Sequence, residues 1–183
     1  LLVSVSTDSR KVQETSLDEL AELASTAGLS VAGRMVQRVV KKNPKFILGK
    51  GKLADLEVLA LQNRAGLVLF DQELSPAQMR NLAEVTERRV LDRTQLILDI
   101  FAQHATTRAG KLQVEMAQLK YTLPRLVGKN KALSKLMGGI GGRGPGETKL
   151  ELDRRKIRTR LTRLGNELKT LRKQRSHARS RRS

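Results

Sequence analysis

Two sets of apolar residues spaced 4-3-4-3 constrain this chain more than any other feature. Leu112, Met116, Leu119, Leu123 and Leu126 form the first, and Ile157, Leu161, Leu164, Leu168 and Leu171 form the second. That spacing puts each set on one helix face as a heptad seam. Two seams separated by one connection predict a long antiparallel two-helix coiled-coil hairpin, each helix reaching roughly 30–40 Å at the usual rise per residue. Pro124 removes one backbone hydrogen bond and should kink or end the first helix. Thr148 with Glu151 reads as a capping box opening the second. A hairpin that buries its own seams predicts a monomer. Seams that pair with another protein, in a coiled-coil interaction module, predict concentration-dependent oligomers instead.

Charge says what such an arm is for. Residues 1–103 hold 14 Lys/Arg against 13 Asp/Glu, whereas residues 104–183 hold 22 against 5. The net charge of +18 is thus almost confined to the helical half. Off its seam, the second helix carries Arg154, Arg155, Lys156, Arg158, Arg160, Arg163, Lys169, Arg172, Lys173 and Arg175. Like charges at helical neighbours repel by a few tenths of a kcal/mol per pair. A polyanion relieves that repulsion, and displaced counterions add a salt-dependent drive.

The connection, about residues 127–147, holds seven glycines. A loop of that length in a compact fold is functional or disordered. Its candidate RNA contacts are Lys129, Lys131, Lys135, Gly138, Gly139, Gly141, Gly142, Arg143, Gly144, Gly146 and Lys149, joined by Arg154, Arg155 and Arg158 at the helix start. Glycine permits close backbone approach, lysine supplies a point charge, and arginine stacks or forks to phosphate oxygens. Gly139-Ile-Gly-Gly-Arg-Gly144 matches the dinucleotide pattern in letters only, because no strand precedes it in a βαβ unit.

Residues 1–103 read as a small parallel-sheet α/β domain. Strands are expected at Leu1–Val5, Leu29–Val40, Gly66–Asp71 and Arg89–Asp92. A capping box at Ser16–Glu19 opens a helix carrying Leu17, Leu20, Leu23, Ala24 and Ala27, and Gly28 stops it. Leu53, Leu56, Leu59 and Ala60 mark a second helix after Gly49-Lys-Gly51. Ser75-Pro-Ala-Gln78 opens a third, with proline at its first position. The boundary to the basic hairpin, residues 104–183, is placed at 103.

Catalytic chemistry is sparse. There is no cysteine, and His104 and His177 lack metal-ligand spacing. No catalytic, cofactor or metal site is expected in the chain. Asp71, Glu73 and Asp92 sit at strand ends, where α/β sheets take ligands, but helix capping accounts for them better. A nucleotide near Gly49–Gly51 or Asp71 would make the chain an ATP-dependent RNA-remodelling module. Four aromatic residues are too few for base-stacking platforms. No apolar run spans a bilayer, and the apolar Leu1–Val5 lacks the basic n-region and small-residue cleavage site of a signal peptide. The expectation is a cytoplasmic protein without a membrane partner.

Four segments carry a family resemblance: Phe46-Ile-Leu-Gly-Lys-Gly-Lys52, Leu74-Ser-Pro-Ala-Gln78, Asp92-Arg-Thr-Gln-Leu-Ile-Leu-Asp99 and Gly141-Gly-Arg-Gly-Pro-Gly-Glu-Thr-Lys-Leu-Glu-Leu-Asp-Arg-Arg155. Together they resemble the N-terminal part of the HflX family of ribosome-associated GTPases. The resemblance implies binding to the large (50S) subunit and its 23S rRNA. It implies splitting of stalled or idle 70S ribosomes, notably after heat stress. It directs the loop at 127–147 to the peptidyl transferase centre. GTP and Mg2+ are implied for the intact protein, in a domain that follows this region.

Overall fold

A computed structural model describes residues 1–126 and 145–180, and the chain divides into two compact units, Leu1–Gln103 and His104–Ser183. In the first unit, strands β1 (Leu2–Ser6), β2 (Arg34–Arg38), β3 (Leu67–Phe70) and β4 (Arg89–Asp92) alternate with helices α1 (Arg10–Thr26), α2 (Lys50–Gln62) and α3 (Pro76–Thr86). Helix α4 (Arg93–His104) closes the series. The sheet is wholly parallel, in the order β2-β1-β3-β4.

The period-2 alternation of β1 and β3 sorts the core into two layers. Val3, Val5, Val68 and Phe70 pack with Leu53, Leu56 and Ala60 of α2 and Leu82 of α3. Leu2 and Leu69 face the other way, onto Leu17, Leu20 and Ala24 of α1 and Leu96 of α4. Both faces of the central strands are covered, which is why β3 is apolar throughout and the buried Ser4 of β1 is hydrogen-bonded to Gln13 and Gln72.

Helix α1 starts earlier than its capping-box letters suggest. Ser9 is the N-cap and its side chain accepts from the Val12 amide. Ser16 therefore lies mid-helix, where its carbonyl and hydroxyl accept from Arg93. The other end follows expectation: Gly28 adopts φ +77°, its amide bonds to Ser25 O, and the Leu29 amide bonds to Ala24 O. These two bonds are a Schellman stop. Strand β2 is shorter than Leu29–Val40, pairing with β1 only from Arg34 to Arg38. Gly33 gives its carbonyl to the Leu2 amide, and a Cβ there would meet Leu1 Cδ1 at 3.2 Å. After Val39 bonds Ser6 O, the chain leaves the sheet and Val40 is 99% exposed.

The Ser75–Gln78 capping box is present as both reciprocal bonds. Pro124 ends helix α5 (Arg108–Thr122) as expected, the backbone tightening into a 3-10 turn at Leu123–Arg125. Helix α6 (Pro145–Ser180) begins three residues before Thr148, so Thr148 is inside it and does not cap it. Proline is favoured in a helix's first turn. The two helices differ in length, about 22 Å for α5 and about 54 Å for α6 at 1.5 Å per residue, not equal arms.

Candidate nucleic-acid interface

Helix α5 opens at Thr107, whose side chain accepts from the Gly110 amide at 3.1 Å. Its apolar stripe meets that of α6: Leu112, Leu164 and Leu168 are buried together, flanked by Ala109, Met116, Leu119 and Leu171. The contacts therefore use the first three positions of the α5 seam and the last three of the α6 seam. Leu123 and Leu126 fall in or after the 3-10 turn and lie outside this cluster, because the tighter turn breaks the heptad phase.

Two ion pairs define the direction of packing. Arg160 forks onto Glu115, with Nε to Oε1 at 2.6 Å and an Nη to Oε2 at 2.8 Å. Arg108 reaches Glu167 at 3.8 Å. Stepping back along α5 from Glu115 to Arg108 steps forward along α6 from Arg160 to Glu167 by the same seven residues. The helices are antiparallel. The Arg160 guanidinium bonds to the Glu115 carboxylate and holds its pKa below the ordinary range, against a smaller opposing effect of burial. Arg160 is thus a structural cation rather than a ligand-facing one.

Most of the other described cations of α6 point outward. Arg155, Lys156, Arg158, Arg163, Lys169, Arg172 and Lys173 are exposed, and Arg154 is half-buried. Arg154, Arg155 and Arg158 fall within about one helical turn, so the structure brings these three predicted contacts together. Gly146 and Lys149 belong to the first turns of α6. Lys129, Lys131, Lys135, Gly138, Gly139, Gly141, Gly142, Arg143 and Gly144 lie outside the described residues. Sequence reasoning missed a shallow groove beside α6, lined by Arg108, Thr159, Thr162, Arg163, Asn166 and Thr170. Its signal was available as neutral polar residues recurring at helical spacing between the cations.

Asp92 is the helix cap expected of it, whereas Asp71 is an ion-pair partner instead of a cap. Asp92 is fully buried and caps α4 by accepting from the Gln95 amide at 2.9 Å, while its other oxygen accepts from the Leu74 amide at 3.0 Å. Asp71 pairs with Arg93 at 2.7 Å, and Arg93 also donates to Ser16 and Glu19 of α1. Gln72 enters the gap where β1 and β3 diverge: its Oε1 accepts from the Val5 amide, and its Nε2 donates to Ser4 Oγ. This gap is the switch point at which parallel sheets hold ligands, and here it is filled by the chain's own amide. Among the described residues no cluster of three or more His, Asp or Glu has metal-binding geometry.

A parallel α/β unit followed by a basic helical pair is the architecture of the front part of a class of GTP-binding proteins. The GTP-binding GTPase N-terminal family matches residues 14–102, and the GTP-binding GTPase middle-region family matches residues 104–182. Relatives include a GTPase HflX of Caldanaerobacter subterraneus subsp. tengcongensis, 50% identical over 92% of this chain and 40% of that protein. Another, from Lacrimispora saccharolytica, is 47% identical over 100% of this chain and 43% of its own length. A GTP-binding protein of Sulfolobus solfataricus, crystallised with GDP, superposes with a TM-score of 0.59 at 23% identity, over 93% of this chain and 45% of that one. That likeness establishes the shared fold. The chain belongs to the HflX family, and it spans about two fifths of the length of these relatives.

Proposed function

We propose that this chain is the ribosome-binding region of a GTPase that binds the large (50S) subunit and splits stalled or idle 70S ribosomes. The observation that carries the reading is the division of labour on α6. Its seam and Arg160 are spent on α5, while the exposed cations from Arg155 to Lys173 face outward along about 27 Å. A rod with one satisfied face and one basic face suits 23S rRNA, whose phosphates neutralise repelling arginines and release counterions. Family membership supplies the ribosome as the source of that RNA.

In this reading the connection before α6, expected at about 127–147 and ended by the helix start at Pro145, is directed to the peptidyl transferase centre, and surface bound by the two units competes with contacts between the ribosomal subunits. The work is mechanical. GTP and Mg2+ belong to the intact protein: no Gly-x4-Gly-Lys-Ser/Thr sequence occurs in these 183 residues, so they do not fit a Walker-type GTP site. The protein acts in the cytoplasm as a monomer, and no described helix is long and apolar enough to cross a membrane.

The test is co-sedimentation with purified 50S subunits. Changing Lys129, Lys131, Lys135 and Arg143 to glutamine is expected to lower subunit binding about tenfold or more at physiological salt, as four phosphate contacts are lost. Co-sedimentation equal to the parent chain overturns the tip's part in affinity. Absence of subunit binding by the parent chain overturns the ribosomal reading itself.

A further inference from the structure

A second concentration of positive charge sits in the otherwise balanced first unit. Residues 38–52 carry Arg38, Lys41, Lys42, Lys45, Lys50 and Lys52 and no carboxylate. All six side chains are exposed. Lys52 pairs with Asp55 at 2.7 Å, whereas Lys41, Lys42, Lys45 and Lys50 form no ion pair among the described residues.

The backbone beneath them is held firmly. Asn43 and Ile47 exchange both main-chain hydrogen bonds, and the Asn43 side chain accepts from the Lys45 and Phe46 amides. Helix α3 grips the loop from outside: Gln78 donates to Asn43 O, and Asn81 donates to Lys45 O. Ile47 is buried with φ +63°, a conformation that a β-branched residue keeps only where its surroundings over-determine it. The Lys45 ammonium lies 5.0 Å from the Phe46 ring centroid. Lys45 thus projects from a braced turn, with Lys41 and Lys42 just before it and Lys50 at the start of α2. The chain also places Lys50 and Lys52 in the first turn of α2, where they oppose its dipole. That arrangement costs the isolated fold and favours a bound anion.

We propose that this loop is a second RNA-contact surface, which takes the phosphate backbone of double-stranded RNA without reading its sequence. The inference deepens the ribosomal reading and rests on it for the source of the RNA. Lysine point charges suit phosphate positioning, and the loop offers no free aromatic face for base stacking. A membrane surface fits less well: insertion needs a set of large apolar side chains, and the loop exposes Val40 with Phe46 half-buried.

The experiment measures fluorescence anisotropy of a labelled RNA duplex of about 20 base pairs against salt concentration. The parent chain is compared with the quadruple variant Lys41→Gln, Lys42→Gln, Lys45→Gln, Lys50→Gln and with the matching lysine-to-arginine variant. The glutamine variant is expected to lower the slope of log K against log salt by about 3.6 if all four lysines meet phosphates, and to weaken binding about tenfold or more at physiological salt. The arginine variant, which keeps the charge, should retain the parent slope. An unchanged slope in a glutamine variant with native circular dichroism overturns the inference. So does an arginine variant as weak as the glutamine one, or a glutamine variant that loses only binding to phosphatidylserine vesicles. Parent binding to the duplex but not to 50S subunits overturns the ribosomal source and leaves the surface standing.

Discussion

At the scale of single residues, the side chains that matter are those doing something their letters do not announce. Arg93 ties β3 to α1 through Asp71, Ser16 and Glu19. Nothing local marks it, because its partners are 22 to 77 positions away. Asp92 was legible as a cap, because a carboxylate just before a helix is a local signal. Glu115 carries a prediction. Its pKa is lowered in the folded chain, so its contribution is complete above the ordinary value of 4.5 and is lost as pH falls through the lower folded value. Glu115→Gln should therefore weaken the hairpin slightly near neutral pH. Below the folded pKa, where Glu115 is protonated in both states, the variant and the parent chain should melt alike. Melting by circular dichroism at both ends of that window checks this. A constant difference across it would rule out the charged pair as the cause. The effect is small, since Glu115 and Arg160 are 38% and 41% exposed and solvent screens them.

At the scale of elements, α5 and α6 depend on a short stretch of seam. Leu164 is fully buried and Leu112 and Leu168 nearly so, while the outer seam positions are half-exposed. Removing the central side chain leaves a cavity in the smallest of the three apolar clusters. Leu164→Ala should cost about 3 kcal/mol of hairpin stability, measured by urea denaturation followed at the helical signal. Leu171→Ala, at the half-exposed end of the cluster, should cost less. Equal losses would mean that the seam is evenly loaded. The heptad letters indicated which face pairs. They overstated the length of α5, since the 3-10 turn at Pro124 withdraws Leu123 and Leu126 from the phase.

At the scale of the whole molecule, charge decides behaviour. A nearly neutral α/β unit with one basic loop precedes a unit carrying nearly all the net charge. Binding to 23S rRNA should therefore be steeply salt-dependent. Affinity is expected to fall about a thousandfold or more between 50 and 200 mM salt if six or more phosphates are engaged. Filter binding across that range measures it, and a shallow dependence would show that contacts other than phosphates dominate.

What the amino-acid sequence determined alone was set by near neighbours, although the local boxes at Ser16–Glu19 and Thr148–Glu151 did not become caps. The apolar periods of strands and helices, the Ser75–Gln78 box, the stop at Gly28, the break at Pro124 and the partition of charge all depend on residues within a few positions. Tertiary structure alone decided what depends on distant partners. It set the Gln72 plug between diverging strands. It chose the hairpin register through Arg160 and Glu115, and it braced the lysine loop on α3. The reason is physical: periodicity and capping are local energies, whereas register, burial and long-range ion pairs exist only once the chain has brought separated residues together.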